Sequence, residues 1–218
     1  MIFDIITLFP ESFSYLNTSI LQKAQEKKII KVRFWNPKDF TKNKHEIDDK
    51  PYGGGPGMVL KFEPIYKALE RAKKSYKTTK RKIIFTHPAG ESFNQNLARK
   101  LSKEKQIIII CGHYEGIDAR IEKFIDLKIS IGKYILTGGE LPAMIIIDAI
   151  TRHLPNALHH PLSLEEKRNK QGLYSYPVYT RPSVIKIKTL KLKVPKVLLS
   201  GNHKLIEAWR KKHSRKII

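Results

Sequence analysis

The stretch Ser130–Ile150, SIGKYILTGGELPAMIIIDAI, decides the fold because a strand end, a glycine turn and a helix follow one another in it. An apolar segment bends at Gly132 and leads to Gly138-Gly139, where the backbone can approach a ligand because no Cβ intervenes. Glu140 and Pro142 suit the first turn of a helix. That helix is predicted to continue, largely buried, through Leu141, Met144, Ile145, Ile147, Asp148 and Ala149. Two interpretations of the glycine turn remain open. It is either a tight connection between strand and helix or a site for a small molecule.

Apolar runs elsewhere alternate with helical periods, which predicts an α/β fold with a mostly parallel sheet. The predicted strands are Ile2–Leu8, Lys31–Asn36, Ile83–Thr86, Ile107–Cys111 and Leu127–Ile131. The predicted helices are Glu11–Lys28, Phe62–Lys74, Phe93–Lys103 and a short one at Asp118–Phe124. Ligands bind such sheets beyond the carboxyl ends of the strands. The turns 87–90, 112–116 and 131–139 are therefore predicted to converge on one site.

The charge balance points to a polyanionic partner. Among 218 residues, 42 Lys and Arg oppose 20 Asp and Glu, which gives a net charge of +22. Nucleic acid is the commonest partner of so basic a chain. A solvated surface in a lysine-biased proteome is the alternative.

Other features of the composition predict a cytoplasmic protein. Cys111 is the single cysteine, which excludes an intramolecular disulfide and fits a reducing compartment. The first residues, MIFDIITLFPESF, lack the basic start of a signal peptide. No run approaches the roughly 18 apolar residues that a membrane span needs, so no membrane partner is expected.

The second part of the chain differs from the first in amino-acid composition. Pro155–Gln171 is rich in proline and charge and is predicted to be a linker. Residues 183–218 hold 11 Lys and Arg and one acidic residue, Glu207. Ile185–Val194 alternates apolar residues with lysine, which indicates an extended segment, and Leu205–Lys212 is predicted to be a helix. These features indicate a small basic second domain.

Common cofactor and metal motifs are missing. There is no G-x-G-x-x-G, and the glycines at 53–57 lack the ending of a P-loop. The cluster His45–Asp49 does not have the H-E-x-x-H spacing of a zinc site, so no metal ligands are predicted. By contrast, Tyr114-Glu115 stands between glycines directly after an apolar strand, which places a ring and a carboxylate at its open end. Tyr176–Pro182 combines an extended path with Tyr and Arg groups suited to bases and phosphates.

Five stretches, taken in order, resemble the bacterial tRNA (guanine-N1)-methyltransferase family, TrmD. They are PYGGGPGM at 51–58, CGHYEGIDARI at 111–121, SIGKYILTGGELPAM at 130–144, YPVYTRP at 176–182 and VLLSGNHKLIEAWR at 197–210. The resemblance covers essentially the whole chain. It implies a SPOUT-type parallel sheet with a deep trefoil knot, followed by a small, mostly helical C-terminal domain. The implied boundaries are 1–158 for the methyltransferase domain, 159–172 for a flexible linker and 173–218 for a tRNA-binding domain.

The resemblance also implies a homodimer whose active site is shared between subunits, with S-adenosylmethionine held in the knot. The residues implied to bind this cofactor are His87, Pro88, Gly112, Tyr114, Glu115, Gly116, Ile131, Gly132, Lys133, Tyr134, Ile135, Leu136, Gly138, Gly139 and Pro142. Those implied to face tRNA are Asp48, Asp49, Arg152, Tyr179, Arg181 and His203. A role for Mg²⁺ is left open by the residue pattern.

The reaction implied is methylation of guanine N1 at G37, the guanosine 3′ of the anticodon. That nitrogen must lose a proton to a base, and a cation near O6 would stabilise the negative charge that develops. Arg152 stands at the family's arginine position. The family's aspartate base falls on Lys167, and we favour Glu166 as its replacement.

Alternatives to this chemistry remain. Glu165 could serve as the base, Lys167 could be neutral, or catalysis could be weak. In that last case the chain would be an RNA-binding protein that keeps the cofactor pocket. An enzyme that methylates a ribose oxygen is disfavoured by the YPVYTRP and PYGGGPGM motifs.

Overall fold

In the computed structural model of the chain, the first of two units is built on a parallel sheet. The structure describes residues 1–43, 46–158, 173–174 and 176–216, and the two units are Met1–Leu158 and His159–Ile218. The predicted linker 159–172 lies outside the described residues. The strands of the first unit are β1 (Ile2–Ile6), β2 (Lys31–Trp35), β3 (Asp48–Asp49), β4 (Val59–Leu60), β5 (Arg81–Ser92), β6 (Gln106–Cys111) and β7 (Leu127–Ser130). Its α-helices are α1 (Ser19–Glu26), α2 (Phe62–Lys74), α3 (Gln95–Leu101) and α4 (Glu140–Thr151), and its 3-10 helices are Pro10–Asn17, Pro37–Phe40 and Ala119–Phe124.

Strand β6 is the centre of the five-stranded sheet, whose order is β2-β1-β6-β5-β7 with every pairing parallel. All six of its residues are buried. Ile107 and Ile109 face a core shared with α1, α3 and α4, whereas Ile108 and Ile110 face a core shared with α2. Helices on both faces explain why this strand is a continuous apolar run.

Strand β5 continues through residues 87–90, so the prediction of a turn after the strand is wrong. The strand pairs with β7 up to Thr86 and again from Glu91, and both residues align with Ile129. The four residues between them form a bulge. Gly90 allows the pairing to resume, because a Cβ there would lie 2.5 Å from the Ile129 nitrogen.

The helix predicted over Glu11–Lys28 is interrupted. Residues Pro10–Asn17 form a 3-10 helix and α1 begins at Ser19, which has φ 50°. The reason lies at Thr18, whose backbone is extended and whose hydroxyl donates a hydrogen bond of 2.7 Å to the Tyr15 carbonyl. This local bond closes the end of the 3-10 helix and competes with helix continuation.

Helix α4 is buried on one side only, contrary to the prediction for two of its residues. Ala143, Ile146, Ile147 and Ile150 are fully buried. Leu141 and Ile145, four residues apart and therefore neighbours on the helix surface, are 56% and 45% exposed.

A buried ionic cluster joins β1, β2 and β6 on the face covered by α2. Asp4 is fully buried and accepts two hydrogen bonds of 2.7 Å from the Arg33 guanidinium. It also accepts bonds from Trp35 Nε1 at 2.7 Å and Gln106 Nε2 at 2.6 Å. The carboxylate is therefore fully compensated, as a buried charge requires.

The second unit combines short strands with two helices. Its elements are β8 (Leu173–Tyr174), β9 (Val184–Ile187), β10 (Leu190–Lys193), α5 (Lys196–Leu199), α6 (His203–His213) and β11 (Arg215–Lys216). The segment predicted as extended at 185–194 is a hairpin of β9 and β10, and the predicted helix around Trp209 is α6. In the part of the chain that the structure describes, no helix is long and apolar enough to cross a membrane.

Candidate functional site

A cavity of about 330 Å³ lies at the carboxyl ends of β6 and β7, beside the bulge of β5. This is where a parallel sheet holds its ligands. Its lining comes from Phe85–Ala89, Gly112–Gly116, Ile129–Gly132, Tyr134–Gly139 and Pro142.

The structure brings nearly all the residues implied to bind the cofactor to this one cavity. Of the fifteen, only Lys133 does not line it. His113 and Thr137 also line it; both lie within the turns predicted to converge, although the list of cofactor-binding residues omits them. Apart from Pro142, the lining residues outside every predicted turn are Phe85, Thr86, Ile129 and Ser130.

Two backbone segments meet at the floor of the cavity. The Gly139 N–H donates a hydrogen bond of 2.9 Å to the Gly112 carbonyl, and Gly138 forms a bridge with His113. A Cβ on Gly139 would lie 2.7 Å from Cys111 Cα and would also strike the Thr86 hydroxyl. Glycine is required here because the chain passes against the end of β6 and against Thr86 within β5.

The start of α4 is tied to the sheet below the cavity. Glu140 is buried in the first turn, where an acidic group interacts favourably with the helix dipole. Its Oε1 accepts a hydrogen bond of 2.8 Å from the Thr7 hydroxyl. Burial, and then the Glu140 charge, raise the pKa of the Cys111 thiol well above its usual value, so the thiol stays protonated.

Tyr114 links the cavity rim to the acidic pair at β3. Its backbone has φ 58°. Burial, followed by the charge and hydrogen bond of Asp48, raises the pKa of the Tyr114 hydroxyl. Asp49 is instead held by the Lys50 N–H at 2.9 Å and the Lys61 ammonium at 3.3 Å, contacts that lower its pKa. Asp48 therefore belongs to the rim, and Asp49 carries its own local counter-charge.

His113 presents a nitrogen that lacks a partner. Its Nδ1 is buried and makes no hydrogen bond within the described residues. The ring packs against Phe9 and Tyr114, each with a centroid separation of 4.9 Å.

The arrangement is suited to binding by shape and backbone hydrogen bonds. Apolar side chains form much of the wall, and glycines leave backbone groups accessible beside them. No group of three or more His, Cys, Asp or Glu that could hold a metal ion occurs within residues 1–43, 46–158, 173–174 and 176–216.

The residues implied to act on RNA fall into both units. Arg152 caps the C-terminus of α4, and its side chain has no hydrogen bond or ion pair with the residues that the structure describes. Tyr179, Arg181 and His203 are exposed on the second unit, where the Tyr179 ring lies 6.4 Å from Trp209. Glu165, Glu166 and Lys167 lie outside the described residues.

Comparison with known proteins gives a consistent result. The family model described as tRNA (Guanine-1)-methyltransferase TrmD matches residues 1–217. A curated tRNA (guanine-N(1)-)-methyltransferase of Carboxydothermus hydrogenoformans is 54% identical over 97% of this chain and 81% of its own. A curated protein of the same name from Clostridioides difficile is 47% identical over 100% and 94%.

A solved structure is similar as well. The crystal structure of tRNA (m1G37) methyltransferase from Aquifex aeolicus matches with a TM-score of 0.79 and 43% sequence identity. The match covers 96% of this chain and 87% of that one.

Proposed function

The chain belongs to the tRNA (guanine-1)-methyltransferase TrmD family, and we propose that it transfers a methyl group from S-adenosylmethionine to N1 of G37 in tRNA. The observation that carries this proposal is the cavity lined by two of the family-like stretches, 111–121 and 130–144, at the carboxyl ends of β6 and β7 and beside the bulge of β5. Family membership makes the chain an enzyme that methylates guanine in tRNA.

The residues present fit the cofactor. A volume of about 330 Å³ lies within the range of roughly 300–1,000 Å³ typical of small-molecule sites. Ile131, Leu136 and Pro142 offer apolar walls for an adenine ring, and the backbone of 112–116 and 131–139 offers donors and acceptors for its edge. When bound, S-adenosylmethionine supplies a methyl group on a sulfonium, which needs alignment more than covalent assistance.

Proton removal and charge stabilisation fall to the chain itself. Arg152 would place its guanidinium near guanine O6, where a cation stabilises the negative charge that develops as N1 loses its proton. Glu166 would accept the N1 proton, because the family's aspartate position holds Lys167 and a charged lysine cannot accept one.

Recognition of tRNA would use both units. Asp48 at the cavity rim would accept hydrogen bonds from the guanine edge, and Asp49 would stand beside it. Tyr179 would stack on a base, whereas Arg181 and His203 would contact phosphate or base. The residue pattern leaves a role for Mg²⁺ open, and dependence of methyl transfer on Mg²⁺ is tested by adding a chelator.

Larger-scale features complete the proposal. We infer a homodimer with a shared active site, supported by the exposed pair Leu141 and Ile145 on α4. The proposal also includes a trefoil knot around the cofactor, a flexible linker at 159–172 and a cytoplasmic location. It includes a tRNA-binding domain at 173–218 as well, although its described part combines short strands with two helices and is not mostly helical.

The test is methyl transfer to a tRNA transcript with G37, followed by nucleoside analysis. We expect 1-methylguanosine, and none from a matched transcript with A37. Binding of tRNA without methyl transfer, or a 2′-O-methylated product, would contradict the proposal.

The base is tested by Glu166→Gln, with Glu165→Gln as the matched control. We expect a loss of about 10²-fold or more in kcat for the first variant, the usual range for a general base. Equal activity of Glu166→Gln and the unmodified protein would remove Glu166 from the mechanism.

A further inference from the structure

The hairpin of β9 and β10 presents two different faces. The register pairs Ile185 with Leu192 and Ile187 with Leu190, so these four residues share one face. The opposite face carries Lys186 paired with Lys191, and Lys193 paired with Val184. All eight strand residues are exposed.

The lysine face is electrostatically unfavourable in the free protein. Directly opposed residues place their Cβ atoms about 4.5–5.5 Å apart, and like charges in such a pair are destabilising. The hairpin has no acidic residue to offset the pair. The one carboxylate among residues 176–216 is Glu207, which is 3.6 Å from the Arg210 guanidinium.

A pair of ammonium groups on an exposed strand face, without a counter-charge in its own segment, is suited to an external anion. We propose that the lysine face of the hairpin, Lys186 with Lys191 and Lys193, binds the phosphate backbone of the tRNA substrate. This inference rests on the proposed function, because it takes the RNA on which the cavity acts as the polyanion. Contacts of this kind add affinity without reading sequence.

The test is the salt dependence of tRNA binding by the full chain. The variant is Lys186→Gln with Lys191→Gln, and the matched control is Lys100→Gln with Lys103→Gln, two exposed lysines in and after α3. Loss of two phosphate contacts should reduce the slope of log affinity against log salt by about 1.4–1.8, from roughly 0.7–0.9 per contact. When the two proteins bind tRNA equally at about 1 M salt, this difference in slope makes binding by the hairpin variant roughly 25- to 60-fold weaker at about 0.1 M.

Further measurements separate binding from a structural role. The hairpin variant should keep kcat at saturating tRNA and its S-adenosylmethionine affinity, and its thermal midpoint should be unchanged or higher because repulsion is removed. The variant Lys186→Arg with Lys191→Arg keeps both charges and should therefore show the same salt slope as the unmodified protein. Affinity should fall equally for G37 and A37 transcripts.

An unchanged slope in the hairpin variant, the same fall in slope in the control, or a lower thermal midpoint would overturn the inference. The unmodified protein is assayed for methyl transfer in parallel. Absence of methyl transfer there defeats the proposed function alone, since the salt slope still decides whether the hairpin contacts RNA.

Discussion

At the scale of single residues, Gly139 controls the floor of the cavity. A methyl group at this position would lie 2.7 Å from Cys111 Cα and 2.8 Å from the Gly112 nitrogen. We expect Gly139→Ala to reduce the free energy of unfolding by about 1–3 kcal/mol, as overpacking does. S-adenosylmethionine should bind at least about tenfold more weakly, a cost of ~1.4 kcal/mol.

Urea denaturation and calorimetry measure these two effects. Thr137→Ala is the control for stability, because it removes atoms from the neighbouring segment and adds none near β6. Unchanged stability of Gly139→Ala would show that the floor can relax without cost.

Tyr114 reports on the charge at the cavity rim. Burial and Asp48 raise the pKa of the Tyr114 hydroxyl. Its protonated form therefore stabilises the folded state, and this stabilisation is fully present at pH values below the pKa of about 10 that tyrosine has in the unfolded chain. That contribution is lost as pH rises through the higher folded pKa. We expect Asp48→Asn to lower the pKa of Tyr114, because the negative charge disappears while the burial remains.

Alkaline titration followed by ultraviolet difference absorbance measures this shift, with Tyr114→Phe identifying the signal. Asp49→Asn is a close control, since that carboxylate is paired with Lys61. An equal shift in both aspartate variants would mean that Asp48 has no specific contact with the ring.

At the scale of elements, the ionic cluster around Asp4 holds three strands together. Asp4→Asn would leave Arg33 without a charged partner next to the core. We expect a loss of about 3–5 kcal/mol in the free energy of unfolding, as for a broken buried ion pair. Chemical denaturation measures it.

The comparison is Asp118→Asn, which breaks the ion pair with the exposed Arg120 and should cost less than about 1 kcal/mol. Similar losses of unfolding free energy in the two variants would show that burial does not make the Asp4 ion pair more stabilising than an exposed one.

Elements specified by local pattern could be predicted from the sequence. Helix α2 has the predicted bounds, Phe62–Lys74, because its apolar spacing and its first turn both lie within the segment. Strand β6 was recognisable as an unbroken buried run. The bulge in β5 could not be predicted, since it depends on pairing with β7 some forty residues away.

The candidate site divides in the same way. Its glycine segments could be located because they follow apolar strands, whereas their use as a cofactor site came from the resemblance to a family. The buried Nδ1 of His113 belongs to a ring that packs against Phe9, a contact between distant parts of the chain that residue spacing does not predict.

At the scale of the whole molecule, the apolar pair on α4 is suited to an interface between subunits. We expect Leu141→Asp with Ile145→Asp to convert the proposed dimer to a monomer, because two charges would be desolvated in the contact. Methyl transfer should fall with it if the active site is shared. Light scattering measures the mass.

Leu199→Asp, at an exposed leucine of the second unit, is the control and should leave the mass unchanged. A monomeric unmodified protein, or a dimer that persists in the double variant, would contradict the assignment of this surface.

Because β6 is fully buried, its amide hydrogens should exchange with solvent more slowly than those of the segments that line the cavity. Amide hydrogens in the middle of this strand become accessible to deuterium only when the first unit opens as a whole, so they should exchange last. The segment 133–137, of which Tyr134–Thr137 line the cavity, is exposed and lies in no helix or strand, so its amides should exchange early. A ligand would then enter past the fast-exchanging segment while β6, which ends directly before the lining residue Gly112, keeps its shape. Occupancy would show as added protection of residues 134–137, with little change in β6.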